Sequence, residues 1–152
     1  LQERMINAFE TLKNFDQVDK NKTGAIGFCF GGKCALDLAR SGEDIKGVVS
    51  FHGLYDAPTA STGKQLKGTL KIDSSILILH GYDDPMATPK SMIDLADELN
   101  SKKAKWQIHA YGNVGHAFTN PEANQRENGL FYDQYADEHS WNEMKNFFSK
   151  IF

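Results

Sequence analysis

The chain carries the stretch Gly27-Phe28-Cys29-Phe30-Gly31-Gly32, and the segments on either side of it differ in type. Residues 23–28 are small, β-branched or aromatic and predict a buried strand. Residues 33–40 are good helix formers, and Ser41-Gly42 follows them as a stop signal. A nucleophilic residue type therefore stands at a sharp turn between a strand and a helix, with glycines two positions before and two positions after it.

This spacing of glycines around a nucleophile has a steric and an electrostatic reason. The nucleophile sits in a strained turn, so side chains at Gly27 or Gly31 are expected to collide with it or with neighbouring backbone. At a helix N-terminus the Cys29 sulfur also meets the positive end of the helix dipole, which favours the thiolate. A buried cysteine beside a tight turn is the alternative interpretation of this stretch alone.

Nucleotide binding is the competing explanation of a glycine-rich turn between a strand and a helix. A dinucleotide-binding loop needs glycine where Cys29 stands. A phosphate-binding P-loop needs a different glycine spacing before Lys33 and a hydroxyl residue after it, where the sequence has Cys34. The sequence therefore implies no nucleotide, and we expect no other cofactor.

The rest of the chain alternates between helical and strand patterns. Such alternation indicates an α/β fold in which a mostly parallel sheet is flanked by helices on both faces. The loop over residues 112–132 is long for a compact domain, which is typical of a functional loop. Further helices are predicted near residues 5–12, in a segment that begins at Pro89, and around residues 141–151. Further strands are predicted over residues 45–51, 75–80 and 105–111, and a polar loop is predicted around Pro58, Gly63 and Gly68.

Composition limits the kinds of protein this chain could be. Its 152 residues, 40% of them hydrophobic, are enough for a single domain over 1–152 with a real core. Seventeen basic and 20 acidic residues are interspersed, which argues against a nucleic-acid partner. The longest apolar run, residues 25–30, is far short of the roughly 20 residues that cross a bilayer. Two cysteines do not form a disulfide framework, so we expect a cytoplasmic protein.

Reactive residue types follow the predicted strands at the ends where parallel sheets bind ligands. Cys29, Asp84 and His116 occur in the nucleophile, acid, histidine order of α/β-hydrolases. In that arrangement the histidine takes the thiol proton, while the carboxylate fixes the histidine tautomer and stabilises the imidazolium. Asp83 remains the alternative acid at this stage.

A metal site is the other chemistry that these residue types suggest. His80, Asp83, Asp84 and His116 are all of ligand type, but they lack the close spacing that metal-binding motifs show. We therefore expect no metal.

The sequence resembles the dienelactone hydrolase family, α/β-hydrolases in which cysteine replaces serine as the nucleophile. The similarity begins near Asn7 and reaches the end of the chain. The resemblance implies that Cys29 is the nucleophile, that Asp84, three residues after Gly81, is the acid, and that His116 is the base. It also implies an oxyanion donor in the Phe30 backbone N–H, and hydrolysis of a small-molecule ester or lactone through an S-acyl intermediate. It rests on the motifs at 27–32, 79–85 (Leu-His-Gly-Tyr-Asp-Asp-Pro) and 115–118 (Gly-His-Ala-Phe), and on the aromatic helix around 141–148.

Two departures from the family pattern qualify these expectations. Only about 22 residues precede the elbow strand, so we expect a partial domain that lacks the family's N-terminal strands, with their second oxyanion donor and activating glutamate. Dienelactone hydrolase itself has an arginine four residues after the histidine to hold the substrate carboxylate, and that position is Asn120 here. Dienelactone therefore need not be the substrate.

Two further expectations concern the pocket and an alternative function. Side chains next to functional positions are predicted to shape a substrate pocket, although His52 could simply cap its strand. The alternative function is an inactive fragment or binding module that self-associates through an exposed sheet edge at residues 23–28. The predicted pocket residues are His52, Tyr55, Met86 and Phe118.

Overall fold

A computed structural model describes residues 1–56 and 71–152. The long loop after the fourth strand holds a short hairpin around a 3₁₀ turn at Arg126–Asn128. The loop predicted around Pro58, Gly63 and Gly68 lies outside the described residues. The helices are α1 (Gln2–Lys13), α2 (Phe30–Ser41), α3 (Pro89–Ser101) and α4 (Gln134–Ser149), and the strands are β1 (Gly24–Phe28), β2 (Gly47–Phe51), β3 (Ser75–Gly81), β4 (Lys105–Tyr111), β5 (Asn124–Gln125) and β6 (Leu130–Phe131).

The first four strands form one parallel sheet in the order β1-β2-β3-β4. Phe28 is in register with Phe51, and Phe51 with Leu79, so the carboxyl ends of three strands lie side by side. Every residue of β2 is buried, as expected for a parallel strand covered on both faces. The predicted α/β class with a parallel sheet is confirmed.

Helices cover both faces of this sheet and define two apolar cores. One core lies beneath α1, α2 and α3, and the other lies beneath α4. The two cores include Leu36, Val48, Ile78 and Leu99 on the first face, and Phe51, Leu79, Phe118, Met144 and Phe147 on the second.

Strand β1 differs from the prediction of a buried strand. Ile26 is 44% exposed and Phe28 is 40% exposed, while Gly27 on the opposite face is buried. The physical reason is position, because β1 is the outermost strand of the sheet that the described residues form. Its apolar composition is typical of a buried strand, but composition does not report whether a neighbouring strand is present.

A buried cluster of charged groups joins α2, α3 and the segment after β2. Arg40 is 2% exposed and donates two hydrogen bonds to the Glu98 carboxylate, at 3.0 and 2.6 Å. It also bonds to Asp37 at 3.0 Å and to the Tyr55 carbonyl oxygen at 2.8 Å. Burial alone lowers the pKa of Arg40, but the bonds to Glu98 and Asp37 outweigh it and raise that pKa.

Sequence reasoning missed this cluster, although a signal was present. Lys33, Asp37 and Arg40 are spaced so that they fall on one face of a helix. Lys33 lies 3.4 Å from Asp37 and donates to the Asp56 carbonyl oxygen at 2.6 Å. The cluster therefore ties the helix that follows the elbow to residues 55 and 56.

Arg40→Ala is expected to lower the free energy of unfolding by about 3–5 kcal/mol, because buried Asp37 is then left with the more distant Lys33 at 3.4 Å and a cavity replaces the buried guanidinium. Lys102→Ala is the matched control, since Lys102 also donates to Glu98, at 2.9 Å, but is partly exposed. We expect the control to cost less than about 1 kcal/mol. Urea unfolding measures both, and equal losses would contradict a special role for Arg40.

Candidate active site

Cys29 lies at the turn between β1 and α2 with φ 53° and ψ −119°, a conformation that non-glycine residues rarely adopt. Its backbone N–H donates to the Phe51 carbonyl oxygen at 3.0 Å, which fixes the turn against β2. A Cβ atom at Gly27 would overlap the carbonyl group of Gly31. The close approach of strand and helix at the elbow therefore requires glycine at position 27.

Gly31 behaves differently from the sequence-based expectation. An added Cβ at Gly31 would meet no heavy atom within 4 Å, so the collision predicted there was wrong. The Gly31 carbonyl is the crowded group, while the Cβ position at Gly31 faces open space. Gly32, by contrast, lies against the backbone of Gly53, with 2.9 Å between its added Cβ and the Gly53 Cα.

The structure brings Cys29, Asp84 and His116 together in one hydrogen-bonded series. His116 Nε2 lies 3.0 Å from the Cys29 sulfur, and His116 Nδ1 lies 2.7 Å from Asp84 Oδ2. The other oxygen of Asp84 accepts the backbone N–H groups of Met86, at 2.8 Å, and Ala87, at 3.1 Å. Asp84 and His116 are each 2% exposed, so the carboxylate and the imidazole are shielded from water, while Cys29 is partly buried.

Asp83, the alternative acid, is not the carboxylate that bonds to His116. Its side chain is exposed, and its backbone N–H donates to the Val114 carbonyl oxygen at 2.9 Å. The carboxylate on His116 Nδ1 belongs to Asp84.

The backbone of His116 is held by the short hairpin that follows it. His116 N–H donates to the Gly129 carbonyl oxygen at 2.7 Å, and Phe131 N–H donates to the His116 carbonyl oxygen at 3.2 Å. A Cβ at Gly115 would overlap the Gly129 carbonyl oxygen, so this approach requires glycine at position 115. The sequence did not predict the hairpin, because its two strands are only two residues long.

His116 and His52, whose rings pack against each other, have pKa values shifted in opposite directions. Burial lowers the pKa of His116, but the hydrogen bonds to Asp84 and Cys29 outweigh it, so the net pKa is raised. Burial also lowers the pKa of His52, and nearby His116 adds to the effect, to a value of about 4. His116 is therefore suited to hold a proton that His52 does not take at neutral pH.

The predicted pocket residues differ in exposure. Met86 is 53% exposed, whereas Tyr55 is 5% exposed and its hydroxyl lies 2.9 Å from His80 Nδ1. His52 and Phe118 are also buried, and the His52 ring packs against both His116 and Phe118. Their part in substrate binding stays a prediction.

The predicted oxyanion donor belongs to Phe30, where α2 begins. The first N–H groups of a helix have no acceptor within the helix, so they are suited to hold a negative charge. The Phe30 side chain is 55% exposed next to the elbow.

Within residues 1–56 and 71–152, no group of three or more His, Cys, Asp or Glu side chains is placed to hold a metal ion. The same described residues contain no helix that is both long and apolar enough to cross a membrane.

A parallel sheet with a nucleophile elbow, followed by an acid and a histidine at later strand ends, defines the α/β-hydrolase class. The chain belongs to the dienelactone hydrolase family, whose family model matches residues 1–152. The resemblance drawn from the sequence motifs is thereby confirmed.

Relatives of known sequence or structure agree with this assignment. An uncharacterised protein of Caenorhabditis elegans is 35% identical over 154 residues, covering 100% of this chain and 94% of its own length. A crystal structure of a dienelactone hydrolase-like promiscuous phosphotriesterase from metagenomic libraries is 38% identical, with a TM-score of 0.85 over 99% of this chain. A probable 2-oxo-3-(5-oxofuran-2-ylidene)propanoate lactonase of a Bradyrhizobium species is 27% identical over 73% of this chain.

The chain matches only part of the length of two of these relatives. It covers 61% of the phosphotriesterase chain and 46% of the Bradyrhizobium lactonase.

Gly27→Ala is expected to lower the free energy of unfolding by about 3 kcal/mol, because the new methyl group overlaps backbone that cannot move aside. Gly31→Ala is the matched control and should change stability by less than about 1 kcal/mol, in the stabilising direction, since α2 gains a better helix former. Thermal and urea unfolding test the pair. A tolerated Gly27→Ala would contradict the steric account of the elbow.

Proposed function

We propose that this protein hydrolyses carboxylic esters or lactones of small molecules through an S-acyl intermediate on Cys29. The observation that carries the proposal is the continuous series of hydrogen bonds from Cys29 through His116 to Asp84. A thiol, an imidazole and a carboxylate that are hydrogen-bonded in this order form an activated nucleophile, its base and the group that orients the base. Membership of a hydrolase family supports the same chemistry.

In the first half of the reaction the ester bond is exchanged for a thioester bond. His116 Nε2 accepts the thiol proton, and the Cys29 sulfur attacks the carbonyl carbon, so that the carbonyl oxygen becomes an oxyanion. We propose that the Phe30 backbone N–H donates to that oxyanion. Collapse of the tetrahedral species breaks the bond to the leaving alkoxide, which takes the proton from His116.

In the second half water replaces the alcohol. His116 accepts a proton from the water, whose oxygen attacks the thioester carbonyl carbon. The bond to sulfur then breaks, the carboxylic acid leaves, and the proton on His116 returns to Cys29. Asp84 holds the His116 ring in one tautomer and stabilises its charged form throughout.

The surroundings of the site support a mainly apolar substrate. Phe30 and Met86, which lie close to the sulfur and the acid in sequence, are exposed apolar side chains, and so is Tyr82 directly after β3. Asn120 uses its side-chain oxygen to accept the Glu122 N–H at 3.0 Å, so it caps its own turn. We therefore propose that binding does not require a carboxylate on the substrate. A thiol nucleophile works in its reduced form, which supports a cytoplasmic location.

Brief exposure to an activated acetate ester is expected to acetylate Cys29 and leave Cys34 unmodified. Cys34 is the internal control, because burial raises the pKa of its thiol and so disfavours the reactive thiolate. Intact-mass spectrometry with peptide mapping measures both sites. His116→Ala should slow acetylation of Cys29 by about 100-fold or more, since the thiol loses its base.

Equal labelling of the two thiols, or none, would overturn the proposal for this chain. A Cys29→Ser variant that exceeds the parent on every ester tested would contradict the choice of sulfur as nucleophile.

A second proposal concerns the edge of β1. Ile26 and Phe28 are exposed on the outermost strand of the described sheet, where backbone N–H and carbonyl groups face outward. We propose that a second copy of the chain pairs with this strand. In a two-fold arrangement β1 of one copy pairs with β1 of the other, so Ile26 and Phe28 of the two copies cover one another.

Ile26→Lys is expected to abolish a dimer that forms at high protein concentration, because a charge would be placed in the paired edge. Ile93→Lys is the matched control, since Ile93 is 57% exposed but lies on α3. Light scattering over a range of concentrations measures the assembly. A parent chain that stays monomeric at every concentration would argue against edge pairing.

A further inference from the structure

His52 leaves the sheet directly beside the nucleophile. Phe28 and Phe51 are paired in register, so Cys29 and His52 are the next residues of two neighbouring strands. The Phe51 carbonyl oxygen accepts the Cys29 N–H at 3.0 Å, and the His52 N–H donates to the Leu79 carbonyl oxygen at 2.8 Å. The backbone of His52 is thus fixed to the strand ends that carry the site.

The His52 side chain contacts the loop that carries His116 in two ways. Its ring packs edge-to-face against His116, with centroids 5.1 Å apart, and against Phe118, with centroids 5.0 Å apart. Its Nε2 atom lies 2.9 Å from the hydroxyl oxygen of Thr119, three residues after His116. His52 therefore bridges the end of β2, whose Phe51 carbonyl oxygen accepts the Cys29 N–H, and the loop that carries His116.

The conformation of His52 is unusual. Its φ is 36°, in the left-handed region that favours glycine, although its side chain is only 3% exposed. A strained residue of this kind persists when its surroundings over-determine it, and such residues cluster at functional sites. Simple capping of a strand would not require an imidazole in this backbone conformation.

We infer that His52 is a positioning residue which, through Thr119, fixes the loop carrying His116 so that Nε2 stays on the Cys29 sulfur and Nδ1 stays on Asp84. The inference rests on the proposed function in so far as His116 is the base. Because burial keeps His52 neutral at ordinary pH, its ring can pack against His116 without repelling the imidazolium.

We expect the pKa of His116 to fall when the loop that carries it is loosened. Among the described residues, the groups that face His116 are Cys29 from the elbow, Asp84 after β3 and His52 after β2. The bonds to Asp84 and Cys29 are what raise the pKa of His116 against its burial. A loop that loosens lengthens these bonds, so the pKa of His116 falls towards its ordinary value.

Thr119→Val and His52→Phe test the inference separately and together. The first removes one hydroxyl group and keeps the branched shape, and the second keeps an aromatic ring that cannot bond to Thr119. Thr11→Val is the matched control, because Thr11 is exposed on α1 and its hydroxyl donates to the Asn7 carbonyl oxygen at 2.7 Å, away from the site.

Two measurements are made on each variant. NMR titration of the imidazole follows the pKa of His116, and the rate of Cys29 acetylation by an activated acetate ester is recorded against pH. In Thr119→Val we expect the pKa of His116 to fall by about 0.5, acetylation at pH 7 to slow by about 10-fold, and the half-saturating ester concentration to change by less than about two-fold. The double variant should be no slower than His52→Phe alone, because both changes remove the same bond.

A His116 titration and a pH profile in Thr119→Val that match those of the parent and of Thr11→Val would overturn the inference. Fully additive effects of the two substitutions would do the same. If His52→Phe fails to fold, Thr119→Val still decides the question. Absence of Cys29 acetylation in the parent would instead refute the proposed function, while the NMR titration would continue to test the positioning role.

Discussion

The imidazole of His116 has to reach a sulfur on one side and a carboxylate on the other, and each of the three groups follows a different strand. The sulfur follows β1, the carboxylate follows β3 and the imidazole follows β4. Distances of 3.0 and 2.7 Å on the two sides of one rigid ring leave almost no tolerance in where that ring lies. The rest of the structure near the site can be understood as the means of fixing that ring.

Much of that fixing is done by backbone in close approach. Gly27 lies against the Gly31 carbonyl group, Gly81 against the Gly115 carbonyl oxygen, and Gly115 against the Gly129 carbonyl oxygen. At each of these places a single methyl group would push a strand end or a loop outward, and the shift would be passed directly to Cys29 or His116. Two backbone segments can approach this closely only at glycine, because any side-chain carbon at these positions would force the two segments apart.

Sequence motifs predicted that Cys29, Asp84 and His116 would lie at strand ends better than they predicted the contacts that hold these residues there. The order of Cys29, Asp84 and His116 and the parallel sheet beneath them follow from local patterns, since each residue stands at the end of a recognisable strand. The exposure of Ile26, the Arg40 cluster and the hairpin that holds His116 were not predicted. They depend on which distant segments meet: Arg40 with Glu98, for example, joins residues 58 positions apart. Periodicity within a window carries no such information.

Histidines within this one buried region have pKa values that are shifted in opposite directions. Burial lowers the pKa of His52 and of His80, because a charged ring loses its water there. The same burial acts on His116, but its hydrogen bonds to the Asp84 carboxylate, 2.7 Å away, and to the Cys29 sulfur outweigh it and raise the pKa of His116. The His116 imidazole therefore holds a proton more readily than the buried imidazoles of His52 and His80 do. The His52 ring packs against His116 with its own pKa lowered to about 4, so it adds no positive charge beside His116 at neutral pH.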